Sequence, residues 1–133
     1  MLYPGKDGII RMNKALTTHY NQPHSVAAEA NLEHVLEQAK HYAEGITDAE
    51  QRLLKKAAFL LFHLAYDAHI FADGNKRTAF AATAGFLEMN GYEMRLDGEE
   101  SQLRQAAMMK ETAEGKRSIS YVFKWLKGIS AKK

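Results

Sequence analysis

His69, Asp73, Asn75, Lys76 and Arg77 fall within nine residues, around the turn-forming pair Asp73-Gly74. The set combines an imidazole, a carboxylate, an amide and two adjacent cations. Neutral imidazole can accept a proton from an attacking hydroxyl near neutral pH. A carboxylate can anchor Mg²⁺, which favours one or two carboxylates plus substrate phosphates. Arginine can hold a phosphate through two bonds, and lysine adds a point charge. If a helix opens at about Asn75, its first N–H groups are unpaired, and with the helix dipole they form an anion site. Gly74 lets the backbone turn tightly there. A base, a metal ligand and a phosphate cradle make the inventory for nucleotide-dependent transfer onto a hydroxyl. His69 and Asp73 could instead be two metal ligands one turn apart, but Gly74 argues against a helix through them and no third ligand is evident.

The flanking stretches, Leu53 to Ala65 and Ala79 to Leu87, are apolar and read as core. The spacing predicts a helix from Thr47-Asp48-Ala49-Glu50, a capping box, running through Ala57–Leu64, apolar on nearly every side and so buried. A second central helix runs from Asn75 or Lys76 to Asn90-Gly91, with small residues that allow close approach. Before these, residues 1 to 8 read as an irregular lead-in. A first helix covers about Ile9 to Tyr20 and stops before Pro23. A second starts near Ser25, presents Leu32, Val35, Leu36, Ala39, Tyr42 and Ala43 on one face, and ends at Glu44-Gly45. After Gly91, Tyr92 to Leu96 reads as a short extended piece. A fifth helix covers Glu99 to Glu114, and a sixth starts near Ser118 or Ser120 with Val122, Trp125, Leu126 and Ile129 on its inner face. The tail from Ser130 to Lys133 is expected to fray. No repeat and no convincing strand pattern is present. The expectation is an all-α bundle of about six helices, one domain over residues 1–133, with two central buried helices flanking the motif.

The bulk numbers agree with an ordinary soluble globular protein. Of 133 residues, 46% are hydrophobic and 26% charged, and the net charge is +2. That balance is too mild to make nucleic-acid binding the main activity. Cysteine is absent, which excludes disulfides and thiolate catalysis. Met1-Leu2-Tyr3-Pro4-Gly5-Lys6 has no signal-peptide pattern, and no apolar run reaches membrane-spanning length. A cytoplasmic location is expected. His34, His41 and His63 read as surface or packing residues rather than a zinc site, and His19 and His24 flank a turn. Met108-Met109 and Trp125 read as core filler.

His69-Ile70-Phe71-Ala72-Asp73-Gly74-Asn75-Lys76-Arg77 resembles the signature of the Fic/Doc family, H-x-F-x-[D/E]-G-N-[G/K]-R, with all seven specified positions matched in one block. Lysine at position 76 is the feature of death-on-curing (Doc) toxins, where most AMP-transferring Fic members have glycine. Weaker likeness continues through Phe86-Leu87-Glu88-Met89-Asn90-Gly91 and the late Thr112-Ala113-Glu114-Gly115, so a Doc-like domain would reach from about Met12 to Gly128.

The resemblance implies a toxin of a toxin–antitoxin pair. Such toxins move the γ-phosphate of ATP, with Mg²⁺, to a threonine of elongation factor Tu, and a separate antitoxin silences them. It implies His69 as catalytic base, Asp73 as Mg²⁺ ligand, and Gly74, Asn75, Lys76 and Arg77 as phosphate binders. Phe71 would be the buried anchor of the motif. A flap before the motif would align the target, and the Glu44–Asp48 connection is its expected place. Ser25-Val26-Ala27-Ala28-Glu29-Ala30 partly resembles the inhibitory helix of other Fic proteins. The arginine that would receive Glu29 is replaced by Phe80, so Glu29 reads as an early-helix carboxylate. Two other functions are compatible with the motif: AMP transfer onto a protein hydroxyl, and a non-catalytic Fic-fold binding module. Neither reading requires direct nucleic-acid or membrane contact.

Overall fold

A computed structural model describes residues 1–133. Six helices follow one another: α1 (Lys6–His19), α2 (Glu29–His41), α3 (Ala49–Ala65), α4 (Asn75–Met89), α5 (Gly98–Ala113) and α6 (Ile119–Ile129). Two three-residue strands, β1 (Tyr92–Met94) and β2 (Ser130–Lys132), pair antiparallel. The fold is thus helical with one small sheet. No helix is long and apolar enough to cross a membrane.

α3 is the centre. It packs against α2, α4, α5 and α6, while α1 lies on α4 and α2. Its Leu53, Leu54, Ala57, Ala58, Leu60, Leu61 and Leu64 are buried, and they meet Ala79, Ala82, Phe86 and Leu87 of α4 in one continuous core with Ile9, Leu32, Val122 and Leu126. Alanine at 57, 58, 79 and 82 lets the two central backbones come close, so the segment between them is held at both ends by core.

Several expected boundaries move, each for a local reason. α1 begins at Lys6, so residues 6 to 8 of the expected lead-in are helical. α2 begins at Glu29 rather than near Ser25, because Ser25 to Ala28 runs alongside the motif: Val26 bridges Phe71, and Ala72 N–H donates to Ser25 O at 3.1 Å. α2 stops at His41, and the left-handed residue after it is Ala43 (φ 61°) instead of Gly45. The N-cap of α3 is Asp48 rather than Thr47; its carboxylate accepts from Gln51 N–H at 2.8 Å. The tail does not fray: Ser130, Ala131 and Lys132 pair with Met94, Glu93 and Tyr92. Lys133 N–H closes the ribbon on Gly91 O at 2.9 Å.

The apolar run of α3 also buries one charged side chain. Lys56 is fully buried, and its ammonium donates to Ala39 O at 3.0 Å and Lys40 O at 2.8 Å and meets Glu44 at 2.7 Å. A cation bonded to the last carbonyls of α2 satisfies groups that the helix itself leaves open. Lys56→Met keeps the stem and removes those bonds. It is expected to lower unfolding free energy by about 2–3 kcal/mol, read as a lower urea midpoint with unchanged slope. The Lys56 hydrogen bond also holds the Glu44 carboxyl below its usual 4.5. A depressed carboxyl contributes stability above its unfolded value and loses it as pH falls through its folded value. Glu44→Gln is therefore expected to flatten the acid limb of the stability profile below about pH 4.5, measured by urea unfolding across pH.

Candidate active site

The chain leaves α3 at Tyr66 and enters α4 at Asn75, and the backbone between is held at nearly every step. The Asn31 carboxamide donates to Ala68 O at 2.6 Å. Ala27 and Ala28 N–H both donate to Ile70 O, at 2.8 and 3.0 Å. Asn75 clasps Phe71 twice: its Oδ1 accepts from Phe71 N–H at 3.1 Å and its Nδ2 donates to Phe71 O at 2.7 Å. Asn13 Nδ2 donates to Asp73 O at 2.9 Å. Ile70 and Phe71 are buried in the core. With backbone and apolar side chains fixed, His69 is left exposed and Asp73 half-buried.

His69 sits at φ 46°, a left-handed conformation for a residue with a β-carbon. Such residues cost energy locally and persist where the surroundings over-determine them. Here the ties at Ala68 and Ile70 do so from either side. The Asp73 carboxylate forms no hydrogen bond and no ion pair within the chain. Such a carboxylate fits a Mg²⁺ ion that takes its other ligands from phosphates and water. No three His, Cys, Asp or Glu side chains converge on a metal-sized site, so any metal here would draw on Asp73 and a bound substrate.

Gly74 caps α4 at φ 78°. A β-carbon there would lie 3.1 Å from Asn13 Nδ2 and 3.2 Å from Thr17 Cγ2, so both conformation and space require glycine. Thr78 N–H is the first to bond back, to Gly74 O. The N–H groups of Asn75, Lys76 and Arg77 have no acceptor in the chain, and the first turn carries no acidic residue. Lys76 has no carboxylate partner. Arg77 lies over the Tyr20 ring at 3.7 Å and reaches Gln22 Oε1 at 3.4 Å, which fixes the plane of its guanidinium without neutralising it.

These groups open into a cavity of about 640 Å³ between α1, α4 and α5. Gly74, Asn75, Lys76 and Arg77 line one end. Leu16, Phe80, Ala106 and Met109 supply apolar walls, and Gln105 and Lys110 stand on α5. The volume suits a nucleotide-sized ligand. The structure therefore brings together the four residues expected at the phosphates. His69 and Asp73 do not line this cavity; Asp73 directly precedes Gly74, which does. The Asn75 carboxamide is engaged by Phe71, so its side chain braces the loop and only its backbone N–H faces an anion.

Sequence reasoning missed the residues that hold the motif from α1. Asn13 is fully buried and bonds Asp73 O, Thr78 Oγ1 and the His24 ring, whose Nδ1 donates to Asn13 Oδ1 at 2.8 Å. The signal was present: Ile9, Asn13 and Thr17 recur every four residues, so two polar groups share the buried face of α1. The expected flap is also displaced. Glu44–Asp48 joins the far end of α3, whose 17 residues span roughly 25 Å from the motif end. The segment beside the motif is Tyr20–Ala28, through Tyr20, Gln22, Val26, Ala27 and Ala28. Glu29 pairs with Lys6 at 3.3 Å, away from the phosphate end.

A fold in which two close-packed central helices present this loop, with the helix N-terminus open to a cavity, is that of the Fic/DOC family. The family model matches residues 3–87, more than half of the chain, and the chain belongs to that family. Among curated relatives it is similar to the protein named Toxin Doc from Mycolicibacterium smegmatis, with 39% identity over 84 residues. The match takes in 63% of this chain and 62% of that relative's length.

Proposed function

We propose that this chain is a Doc-type toxin enzyme, one Fic/Doc unit over residues 1–133, that transfers the γ-phosphoryl group of ATP to a serine or threonine hydroxyl of a protein. The single observation that carries the reading is the open end of α4: three unbonded N–H groups and two cations without carboxylate partners, facing a nucleotide-sized cavity, with an exposed histidine at positive φ earlier in the same loop. Lys76, Arg77 and the backbone at Gly74 and Asn75 hold the phosphates. Asp73 holds Mg²⁺, which when bound supplies positive charge to the phosphate oxygens. His69 accepts the proton of the target hydroxyl as that oxygen bonds to the γ-phosphorus and the bond from that phosphorus to the bridging oxygen of ADP breaks, releasing ADP. Phe71 and the Asn75 carboxamide keep the loop in place.

The partners follow from the same reading: a translation factor such as elongation factor Tu as target, and a cognate antitoxin as inhibitor, in the cytoplasm. Lys76 favours phosphoryl over AMP transfer, since its side chain takes space and adds charge where glycine would leave room for a diphosphate on the amides.

Mg·ATP titrated into the purified chain is expected to bind. Arg77→Ala is expected to weaken that binding by about tenfold or more through loss of a charge-assisted pair, with thermal stability little changed because the guanidinium is exposed. Absence of nucleotide binding, or unchanged affinity in Arg77→Ala, would count against the phosphate assignment.

A further inference from the structure

A second histidine stands behind the motif. His24 is half-buried in the connection between α1 and α2. Residues on either side of it touch the motif: Gln22 meets Arg77, and Ser25 O accepts from Ala72 N–H. Its ring leans on Phe71, with centroids 6.4 Å apart, and its Nδ1 lies 2.8 Å from Asn13 Oδ1.

Asn13 is fully buried, and every group of its carboxamide is used. Nδ2 donates to Asp73 O at 2.9 Å and to Thr78 Oγ1 at 3.1 Å, which takes both amide hydrogens. Thr78 is itself buried and closes the first turn of α4 through its N–H to Gly74 O at 2.9 Å. A β-carbon on Gly74 would lie 3.1 Å from the same Nδ2, so the amide lies directly against the turn. One carboxamide therefore spans the stretch from Asp73 to Thr78, which contains the three unbonded N–H groups and starts at the carboxylate assigned to Mg²⁺.

A carboxamide has two nearly identical outlines, related by a half-turn that exchanges oxygen and nitrogen. Here the half-turn would set Oδ1 against Asp73 O, two acceptors with no hydrogen between them. The nitrogen therefore faces Asp73 O and the oxygen faces His24. His24 Nδ1 must carry the hydrogen, which leaves Nε2 of the neutral ring as an acceptor. His24 is the one donor bonded to Oδ1. A buried oxygen left without a donor is costly, so the amide loses its preferred orientation when His24 is removed.

We propose that His24 is a positioning residue for the phosphate end. Acting through Asn13, it fixes the Asp73 carbonyl and the first turn of α4 in the arrangement that receives phosphate. The nucleotide part of this proposal rests on the phosphate assignment above.

The test compares His24→Asn with His24→Leu in the full chain. Asparagine places an amide nitrogen where the ring has Nδ1 and keeps the donor; leucine keeps the bulk and loses it. Both lose the ring's contact with Phe71, so their thermal midpoints are expected to fall together. Mg·ATP affinity is expected to separate them, about fivefold or more weaker in His24→Leu and recovered to within about twofold in His24→Asn. His24→Gln, whose amide reaches the place of Nε2 instead, is the polar counterpart of leucine and is expected to behave like it. Exchange of the Asn13 amide hydrogens with water, followed by NMR, is expected to be slow in the unmodified chain and in His24→Asn, and about tenfold or more faster in His24→Leu. Imidazole nitrogen shifts at alkaline pH are expected to place the hydrogen on Nδ1. A hydrogen on Nε2, equal Mg·ATP affinity across the variants, or equal amide exchange across them would overturn the proposal. If the unmodified chain binds no Mg·ATP, the phosphate assignment fails, while the exchange and the nitrogen shifts still decide whether His24 sets the amide.

Discussion

His69→Ala is expected to lower transfer of label from ATP to protein by about 10²–10⁴-fold while the chain stays folded. The size follows from removing the group proposed to take the hydroxyl's proton, since general-base catalysis contributes about that much. The fold survives because the imidazole is exposed and makes no hydrogen bond that the core depends on. Alanine also inherits the same backbone position at φ 46°, so the conformational cost is nearly common to both proteins and the change in stability is within about 1 kcal/mol. Circular dichroism and a urea midpoint on the same sample check the second half. Full growth inhibition by the variant, with no labelling by either protein, would fit a binding module and not an enzyme, and unchanged labelling would mean that His69 is not the base.

Asn75→Asp is expected to damage both stability and activity, for a reason the phosphate reading alone would not give. Aspartate can still accept from Phe71 N–H. It cannot donate to Phe71 O, and it sets a carboxylate oxygen against that carbonyl where an amide now bonds at 2.7 Å. Leaving a part-buried carbonyl unbonded costs about 1–3 kcal/mol, and the like-signed contact adds to it. The new charge also stands at the first position of α4, among the amides that would receive phosphate. Nucleotide affinity is expected to fall by about tenfold or more. The thermal midpoint and a Mg·ATP titration separate the two effects. Asn75→Ala is the control: it lacks the added charge, so its affinity should fall less while its stability falls similarly. Equal stability of all three proteins would mean that the clasp on Phe71 does not hold the loop.

The central architecture was legible because it rests on short-range pattern. Leu53–Leu64 and Ala79–Leu87 declared themselves as core by composition, and Asp73-Gly74 between them marked the turn into α4. What was not legible depends on pairing across long separations. Ser25 looks like an N-cap, yet its carbonyl accepts from Ala72, and no local rule anticipates that. Ser130–Lys132 has no strand pattern of its own and becomes a strand because β1 offers an edge. Lysine at 56 carries no sequence signal for burial, but the end of α2 supplies carbonyls that bond its buried ammonium. Within the site, residue types identified which groups could do chemistry but not how they divide the work. The Asn75 carboxamide holds the loop, Asn13 supports it from α1, and the segment beside the motif is Tyr20–Ala28 rather than Glu44–Asp48.

Transfer of the γ-phosphoryl group to a protein by a site built on His69 is decided by position-labelled ATP. The purified chain is incubated with bacterial extract and Mg²⁺, with ATP labelled at either the α- or the γ-phosphate. The γ label alone is expected on a protein band, and the band is expected to disappear with His69→Ala. Appearance of the α label on protein would contradict it, showing AMP transfer and a nucleotide orientation that Lys76 does not dictate.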